Sequence, residues 1–386
     1  MPKPQPENSL ALSRRQTLHR LGRLGGAAGL APLGSGVLGL AGLGRSSRAW
    51  AAAKPDWASA EAWQSLLNQL VNTKGLPVAW ALESLENLQR QDKALALVNP
   101  PPDAPVIPRS LNRVLSRNLD AKTIAEGRAF MQTHRDSLNQ ASERYGVPGS
   151  IICGILGVET RFGRIQGSFP VRDTLASLAL LSPRRSEFFS QELIELLLLA
   201  KSSAVDLRGL QGSFAGALGM PQFMPSSWRK YAVDFDQDGR IDLLKSPADA
   251  IGSVANFLLR HGWQRGRPTH RVVPPTVREA LKVRQRVALE AFVVTRLTAD
   301  HRLGDLRKSP LGAWIDQAED WRNQSAEWSA SLVHLPEPDR PEAHLWLAAP
   351  NFFAITQYNR SYVYAGSVLS LAAALENPGS PPPPRG

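Results

Sequence analysis

Val147-Pro148-Gly149-Ser150-Ile151-Ile152-Cys153-Gly154-Ile155-Leu156-Gly157-Val158-Glu159-Thr160-Arg161-Phe162-Gly163 is an apolar run that ends on a single carboxylate. Pro148 suits the first turn of a helix and Gly163 offers a stop. Ile151, Ile155 and Glu159 stand at i, i+4 and i+8, with Ile152 alongside, so the periodicity puts the carboxylate on the stripe this helix buries. Desolvation there penalises the ionised form and raises a carboxyl pKa, which is what a general acid working near neutral pH requires. The same spacing also permits an ordinary ion pair between Glu159 and Arg161 or Arg164 at the helix end. Cys153 is the one cysteine of the chain, which excludes an intramolecular disulfide and a Cys-based metal cluster; inside an apolar helix it reads as a small packing residue.

Downstream, Gly163-Arg164-Ile165-Gln166-Gly167 is turn-rich, and 173–181 reads as a short buried helix with Asp173 as its cap. Pro183 breaks that helix, and the adjoining Arg184-Arg185 pair suits either a solvated loop face or a clamp for a substrate carboxylate. A helix over 187–200 follows, ending in a Leu run that belongs in the core. The stretch Gln211-Gly212-Ser213-Phe214-Ala215-Gly216-Ala217-Leu218-Gly219-Met220-Pro221-Gln222-Phe223-Met224-Pro225-Ser226-Ser227-Trp228 is then unusual. Its glycines let backbone approach a ligand closely, Phe214, Met220, Phe223 and Met224 supply apolar surface, and Ser213 and Gln222 are polar handles. Such a wall suits a sugar ring, apolar on its faces and hydroxylated at its edges; a tightly packed Gly-rich turn before a helix at Ser226 is the plainer reading.

Asp234-Phe235-Asp236-Gln237-Asp238-Gly239-Arg240-Ile241-Asp242 has the opening pattern of an EF-hand calcium loop. Asp234, Asp236 and Asp238 hold positions 1, 3 and 5, Gly239 makes the sharp turn, and Arg240 stands at position 7. Position 12 is Lys245, which cannot supply the bidentate carboxylate, whereas Asp249 could do so in a longer loop. The expectation is a weak structural site for Ca²⁺ or Na⁺, and no cofactor for catalysis. A calcium sensor is not expected, because no second such loop occurs.

The rest of the chain sets the context. Positions 1–51 hold seven of the 45 basic and one of the 34 acidic residues, so the formal charge of +11 falls to +5 without them. That modest balance suits an anionic polymer as substrate and gives little support to nucleic acid as partner. Ser13-Arg14-Arg15-Gln16-Thr17-Leu18, a Gly/Ala/Leu run over 24–44 and Ala49-Trp50-Ala51 resemble a cleaved twin-arginine export signal, which implies a bacterial periplasmic location. Its many glycines and Pro32 dilute the hydrophobicity a membrane span needs, and no cysteine follows it, so no stable membrane anchor is expected. Helical patterns cover 57–70, 78–88 and 121–145, with a Pro-rich connector over 99–105. A helix over 246–262 precedes a change of character at 264–349, where 272–275, 330–335 and 344–348 read as strands around a helix-like 312–328. Asn351-Phe352-Phe353-Ala354-Ile355-Thr356-Gln357-Tyr358-Asn359-Arg360-Ser361-Tyr362 leads into an apolar helix to 375, and the tail 377–386 reads as disordered.

Taken together, Gly157-Val158-Glu159-Thr160-Arg161-Phe162-Gly163, Gly212-Ser213-Phe214-Ala215-Gly216-Ala217-Leu218-Gly219, Gln222-Phe223-Met224-Pro225-Ser226-Ser227, the 234–242 loop, Ala250-Ile251-Gly252-Ser253-Val254-Ala255-Asn256 and Ile355-Thr356-Gln357-Tyr358-Asn359 resemble the membrane-bound lytic murein transglycosylase B family. The match is dense over 145–263 and returns over 350–365. The resemblance implies a mainly α (α+β) fold: a lysozyme-like helical core with an EF-hand-like loop, here joined by a small mixed α/β subdomain. The division expected is an export signal at 1–51, an N-terminal helical region at 52–144, the catalytic core at 145–263 with its loop at 234–249, the subdomain at 264–349, and a return to the core at 350–376. The resemblance further implies that Glu159 is the sole catalytic acid/base. Ser213, Gln222, Phe223, Met220, Arg184, Arg185, Tyr358 and Asn359 would line the groove for peptidoglycan glycan strands, and Asp234, Asp236, Asp238, Arg240 and Asp249 would hold the cation. Nothing in the residues identifies a partner among cell-wall synthesis or division proteins.

An ordinary glycosidase uses two carboxyl groups. Only Glu159 stands out here, so the sugar's own acetamido group would assist, and the chemistry the family resemblance implies is non-hydrolytic cleavage that leaves a 1,6-anhydromuramoyl end. Two alternatives stay open on sequence: a lysozyme-type hydrolase recruiting a second carboxylate such as Asp173, and a non-catalytic glycan-binding module.

Overall fold

The computed structural model describes residues 53–105, 110–203, 205–338 and 340–377. The expected export signal and the tail beyond 377 lie outside the described residues. The rest is mostly helical, with two small antiparallel sheets.

The N-terminal stretch forms α1 (Ala60–Asn68), α2 (Val78–Ser84) and α3 (Asp92–Val98). Ser59 starts α1 by accepting the Ala62 N–H, and Trp63, Leu66 and Leu67 form its buried face. After the connector come α4 (Leu111–Asn118), α5 (Ala121–Thr133) and α6 (Arg135–Tyr145). The single helix expected over 121–145 is therefore two, because His134 leaves helical geometry between them. Helix α7 (Gly149–Thr160) follows, with Pro148 immediately outside its first turn.

Strand β1 (Phe169–Pro170) opens directly into α8 (Val171–Leu181) and pairs with β2 (Gln211–Gly212), with α9 (Ser186–Ser203) between α8 and β2. Asp173 does not cap α8. The helix begins two residues earlier, and the carboxylate lies within its first turn against Arg172. Helix α10 (Pro225–Tyr231) then leads to the acidic loop and α11 (Pro247–Arg260), capped by Ser246 and followed by Gly262 at φ 90°.

The segment that changes character builds its own core. Strands β3 (His270–Val272), β4 (His301–Arg302), β5 (Ser329–Glu337) and β6 (Arg340–Ala348) form one antiparallel sheet in the order β3-β6-β5-β4. Its helices are α12 (Pro275–Ala280), α13 (Val283–Leu289), α14 (Leu303–Arg307), α15 (Gly312–Asp316) and α16 (Glu319–Arg322). Strand β3 stops short of the expected 275 because Pro274 and Pro275 have no N–H for the ladder. The helix expected over 312–328 is broken into α15 and α16. Leu303, Leu306, Ile315, Trp321, Leu332 and Leu347 fill the space under the sheet. Helix α17 (Pro350–Thr356) and helix α18 (Tyr362–Glu376), the latter capped by Ser361, complete the chain.

The chain divides into two compact units. Among the described residues, one gathers 105–165 and 231–377; the other gathers 166–230 with the N-terminal helices up to Ala104. In the first, α7 is buried on almost every side and packs on α18 so closely that a Cβ on Gly154 would lie 2.6 Å from the Val368 carbonyl oxygen. Cys153, beside Gly154 on α7, is buried, and burial pushes its thiol pKa up to about 12, as fits a packing residue. No helix among the described residues is long and apolar enough to cross a membrane.

Candidate active site

Glu159 lies in the last turn of α7 and is half-buried, whereas the residues before it from Ile151 to Gly157 are all buried. The helix ends at Arg161 rather than at Gly163. Arg161 and Phe162 both adopt left-handed backbone, at φ 50° and 59°, which costs side-chain-bearing residues free energy. Tertiary packing offsets that strain. The Phe162 ring lies against α5 and α7 at Gly127 and Gly157, where an added Cβ would come within 2.6 and 2.8 Å of it. Thr160 Oγ1 accepts the Gly163 N–H at 2.9 Å and Phe162 N donates to Leu156 O at 3.1 Å, so the turn bearing the carboxylate is fixed at both backbone and side chain.

Both arginines near Glu159 have other partners: Arg161 pairs with Asp120 at 3.6 Å, and Arg164 with Glu126. Glu159 Oε1 accepts a hydrogen bond from the Tyr364 hydroxyl at 2.8 Å. Tyr364 is nearly buried in the first turn of α18, and its ring stacks on Tyr358 with centroids 6.3 Å apart. Tyr358 in turn meets Phe257 edge-on at 4.8 Å. The structure thus links two expected site residues, Glu159 and Tyr358, through Tyr364, which the sequence reading passed over. Its signal was present: a third Tyr in the 358–364 cluster, on the first turn of a helix whose partner is α7. Next to Tyr358, the Asn359 Oδ1 acceptor is buried and has no hydrogen-bond partner among the described residues.

The remaining expected binding residues belong to the second unit. Ser213 Oγ accepts from Ala217 N at 2.9 Å and, more weakly, from Ala215 N, which leaves its O–H to donate. Residues 218–223 form a tight reversal, with Leu218 and Phe223 exchanging backbone hydrogen bonds and Gln222 held at φ 51°. The Gln222 amide nitrogen donates to Gln166 O and Gly219 O, both at 3.0 Å, tying the reversal to the turn before β1. The glycines here serve close approach: a Cβ on Gly167 would lie 2.1 Å from Gly212 O. Phe223 is only 2% exposed and Met220 is buried, so these two support the turn from within, while Phe214 and Met224 present partly open apolar surface.

Arg184 is exposed, but Arg185 is buried with its guanidinium 4.4 Å over the Phe188 ring and 4.8 Å over Phe189. All three of its side-chain nitrogens lack a hydrogen-bond partner among the described residues, and burial lowers its pKa while the charge of Glu192 opposes that shift. Its charge is met by the faces of the two phenylalanine rings and by Glu192. Glu192, which the sequence reading did not single out, accepts Ser226 N at 3.0 Å and Ser226 Oγ at 2.7 Å at the start of α10. Burial raises its pKa, and these hydrogen bonds oppose the rise. It therefore ties α9 to the end of the 218–225 turn. Asp173, the alternative second carboxylate, is nearly buried and sealed by the Arg172 guanidinium at 2.9 Å.

In the acidic loop, oxygens of Asp234, Asp236 and Asp249 all lie within 4.8 Å of one another. Asp234 Oδ1 is buried without a hydrogen-bond partner among the described residues, the state expected of a cation ligand. Asp249 is buried and accepts the N–H groups of Phe235 and Asp242, both at 2.7 Å, so it closes the loop from the α11 side. Asp238 and Arg240 are exposed, and the Asp238 carboxylate is not among the three that converge.

Residues 58–373 match the family model described as the transglycosylase SLT domain. The chain belongs to this family. Over 329 residues the SLT chain is 36% identical to membrane-bound lytic murein transglycosylase B of Escherichia coli, covering 83% of this chain and 84% of that protein. A solved structure of E. coli lytic transglycosylase Slt35 in complex with calcium is 34% identical, with a TM-score of 0.64, covering 81% of this chain and 92% of that one. SltB3 of Pseudomonas aeruginosa, solved in complex with NAG-anhNAM-pentapeptide, is 27% identical with a TM-score of 0.67, covering 82% of this chain and 79% of that one. The mainly helical, lysozyme-like fold expected from sequence is therefore the fold of the SLT chain.

Within this SLT domain the Tyr364 hydroxyl gives Glu159 one hydrogen bond, charge-assisted in those steps where the carboxyl is ionised. Tyr364→Phe removes it without changing ring packing, and kcat is expected to fall about 10- to 100-fold, the value of one such bond, with little change in melting temperature. Steady-state turnover of purified glycan strands checks this.

Proposed function

We propose that this enzyme cleaves the β-1,4 bond between N-acetylmuramic acid and N-acetylglucosamine in peptidoglycan by intramolecular transfer, with Glu159 as the only acid/base. The observation that carries the reading is the single poised carboxylate: Glu159 ends a rigid, buried helix and is oriented by Tyr364, while Asp173 is sealed against Arg172. Membership of the transglycosylase SLT family and the anhydro-muropeptide bound by SltB3 support the same chemistry.

Protonated Glu159 gives its proton to the glycosidic oxygen as the bond to C1 of the muramoyl sugar breaks. The acetamido oxygen of that sugar stabilises the positive centre, replacing the second carboxylate of an ordinary glycosidase. The Glu159 carboxylate then takes the proton of the C6 hydroxyl, whose oxygen closes onto C1, and the acid is regenerated. In this scheme Ser213 and Gln222 orient the acetamido side of the sugar. Tyr358 and Asn359 contact ring and hydroxyls, and Phe223 and Met220 hold the 218–223 turn in place. Arg185, assisted by Arg184, meets lactyl or stem-peptide carboxylates. A hydrolase would release a new reducing end at each cut, whereas this reaction releases none on the muramoyl side. A reducing-sugar assay run beside a turbidity assay distinguishes them: clearing of cell-wall suspension without matching reducing ends is expected, and stoichiometric reducing ends would refute the transfer.

The reading extends to export into the periplasm by the twin-arginine-type segment, and to a structural cation in the acidic loop. Asp234, Asp236 and Asp249 would hold that cation, whose charge would relieve repulsion among them and stiffen the approach to α11; it takes no part in bond cleavage. For a weak site with Kd of about 0.1 to 1 mM, ~10 mM Ca²⁺ is expected to stabilise the fold by about 1 to 3 kcal/mol. A rise in melting temperature with Ca²⁺ that Asp234→Asn abolishes would bear this out; an unchanged melting temperature would refute it.

A further inference from the structure

Residues 264–302 hold nine Lys/Arg against three Asp/Glu, a net of +6, which exceeds the +5 carried by everything after position 51. The rest of that chain is thus slightly acidic, and the positive charge is concentrated in this segment; the other part of the sheet subdomain, 303–349, holds four Lys/Arg against eight Asp/Glu. The most continuously exposed stretch of the segment is α13 with its N-cap, Lys282-Val283-Arg284-Gln285-Arg286-Val287-Ala288-Leu289, which itself contains no acidic residue and lies between the exposed Glu279 and Glu290. Leu289 is buried in the subdomain core, while Val283 and Val287 are 72% and 67% exposed. At about 100° per residue, Val283 and Val287 lie side by side on the face turned away from Leu289, with Arg286 about 60° to one side and Arg284 about 60° to the other. Lys282, Arg284 and Arg286 are all exposed, and none makes an ion pair among the described residues; Arg286 uses only its Nε, toward Leu281 O. A solvated charged helix would place its valines inward and its charges outward; α13 presents both together.

We propose that α13 is a peripheral docking surface for an anionic lipid bilayer. The cations match headgroup phosphates, and the valine pair between them fits the shallow apolar layer directly beneath. A soluble anionic polymer, including the carboxylate-bearing stems of the glycan, would satisfy the charges but give the valine methyls nothing to enter. The surface would hold the enzyme near a membrane reversibly, without an anchor.

Co-sedimentation of the chain beginning near residue 52 with phosphatidylcholine vesicles, with and without phosphatidylglycerol, tests this. Binding is expected only with the anionic lipid and to weaken as salt is raised. Lys282→Ser/Arg284→Ser/Arg286→Ser is expected to lower the partition coefficient on the order of 100-fold, and Val283→Ser/Val287→Ser about 10-fold, both with unchanged turnover of soluble glycan fragments. Absence of wild-type binding to anionic vesicles would overturn the proposal. So would equal binding to neutral vesicles, or adhesion to isolated cell wall that the triple substitution abolishes while vesicles are not bound.

Discussion

Glu159→Gln is expected to lower turnover of peptidoglycan by at least about 10³-fold while leaving the fold intact. The amide keeps the volume of the carboxylate and an oxygen that can still accept the Tyr364 hydroxyl, now at 2.8 Å from Oε1, so α7 and α18 lose little. What it cannot do is give up a proton to a leaving oxygen or collect one from the C6 hydroxyl. Because one group serves both steps, the general acid and general base contributions, each worth about 10² to 10⁴, are lost together. Melting temperature within a degree or two of the wild type, with glycan still retained in a binding assay, would separate the chemical loss from unfolding. Residual turnover near the wild-type rate would mean that another group supplies the proton.

Gly154→Val is expected to destabilise the protein by about 3 kcal/mol or more and to lower activity with it. The Cβ alone would stand 2.6 Å from the Val368 carbonyl oxygen and 3.2 Å from a Val368 methyl, and backbone at that position cannot rotate away as a side-chain tip would. Overpacking of this kind typically costs 1 to 3 kcal/mol for one or two methylenes, and here helices α7 and α18 must separate to relieve it. Those helices carry Glu159 and Tyr364, so the 2.8 Å hydrogen bond lengthens as the contact opens. Urea unfolding with an unchanged slope and a lower midpoint checks the first part. A variant as stable as the wild type would show that the helix contact is more compliant than its geometry indicates.

Much of this was legible in the residues, and where it was not the reason is tertiary. Helix α7 announces itself by apolar spacing after Pro148, and the acidic loop by carboxylates at alternate positions before Gly239, because both are local rules of backbone geometry. The end of α7 is different. Gly163 is the better local stop, yet the chain turns at Arg161 and Phe162, because the Phe162 ring has a seat against Gly127 and Gly157 from another helix and the same one. The misplaced cap at Asp173 has a similar origin: Pro170 starts the helix directly from β1, which frees Asp173 for Arg172. Phe223 looked like a ring platform because composition does not tell which aromatic of a Gly-rich stretch turns inward. Tyr364 and Glu192 escaped notice because each matters through a partner far away in sequence, Glu159 at 205 positions and Ser226 at 34. Asp249, by contrast, was found as a candidate ligand, and its bonds to Phe235 and Asp242 add that it also closes the loop.

The most direct test of a single-carboxylate transfer is mass spectrometry of the muropeptides released from purified peptidoglycan by the chain beginning near residue 52. Products lighter by one water than their hydrolytic counterparts, and absent with Glu159→Gln, are the expected result. Products at the hydrolytic mass would contradict it and require a second carboxylate to activate water.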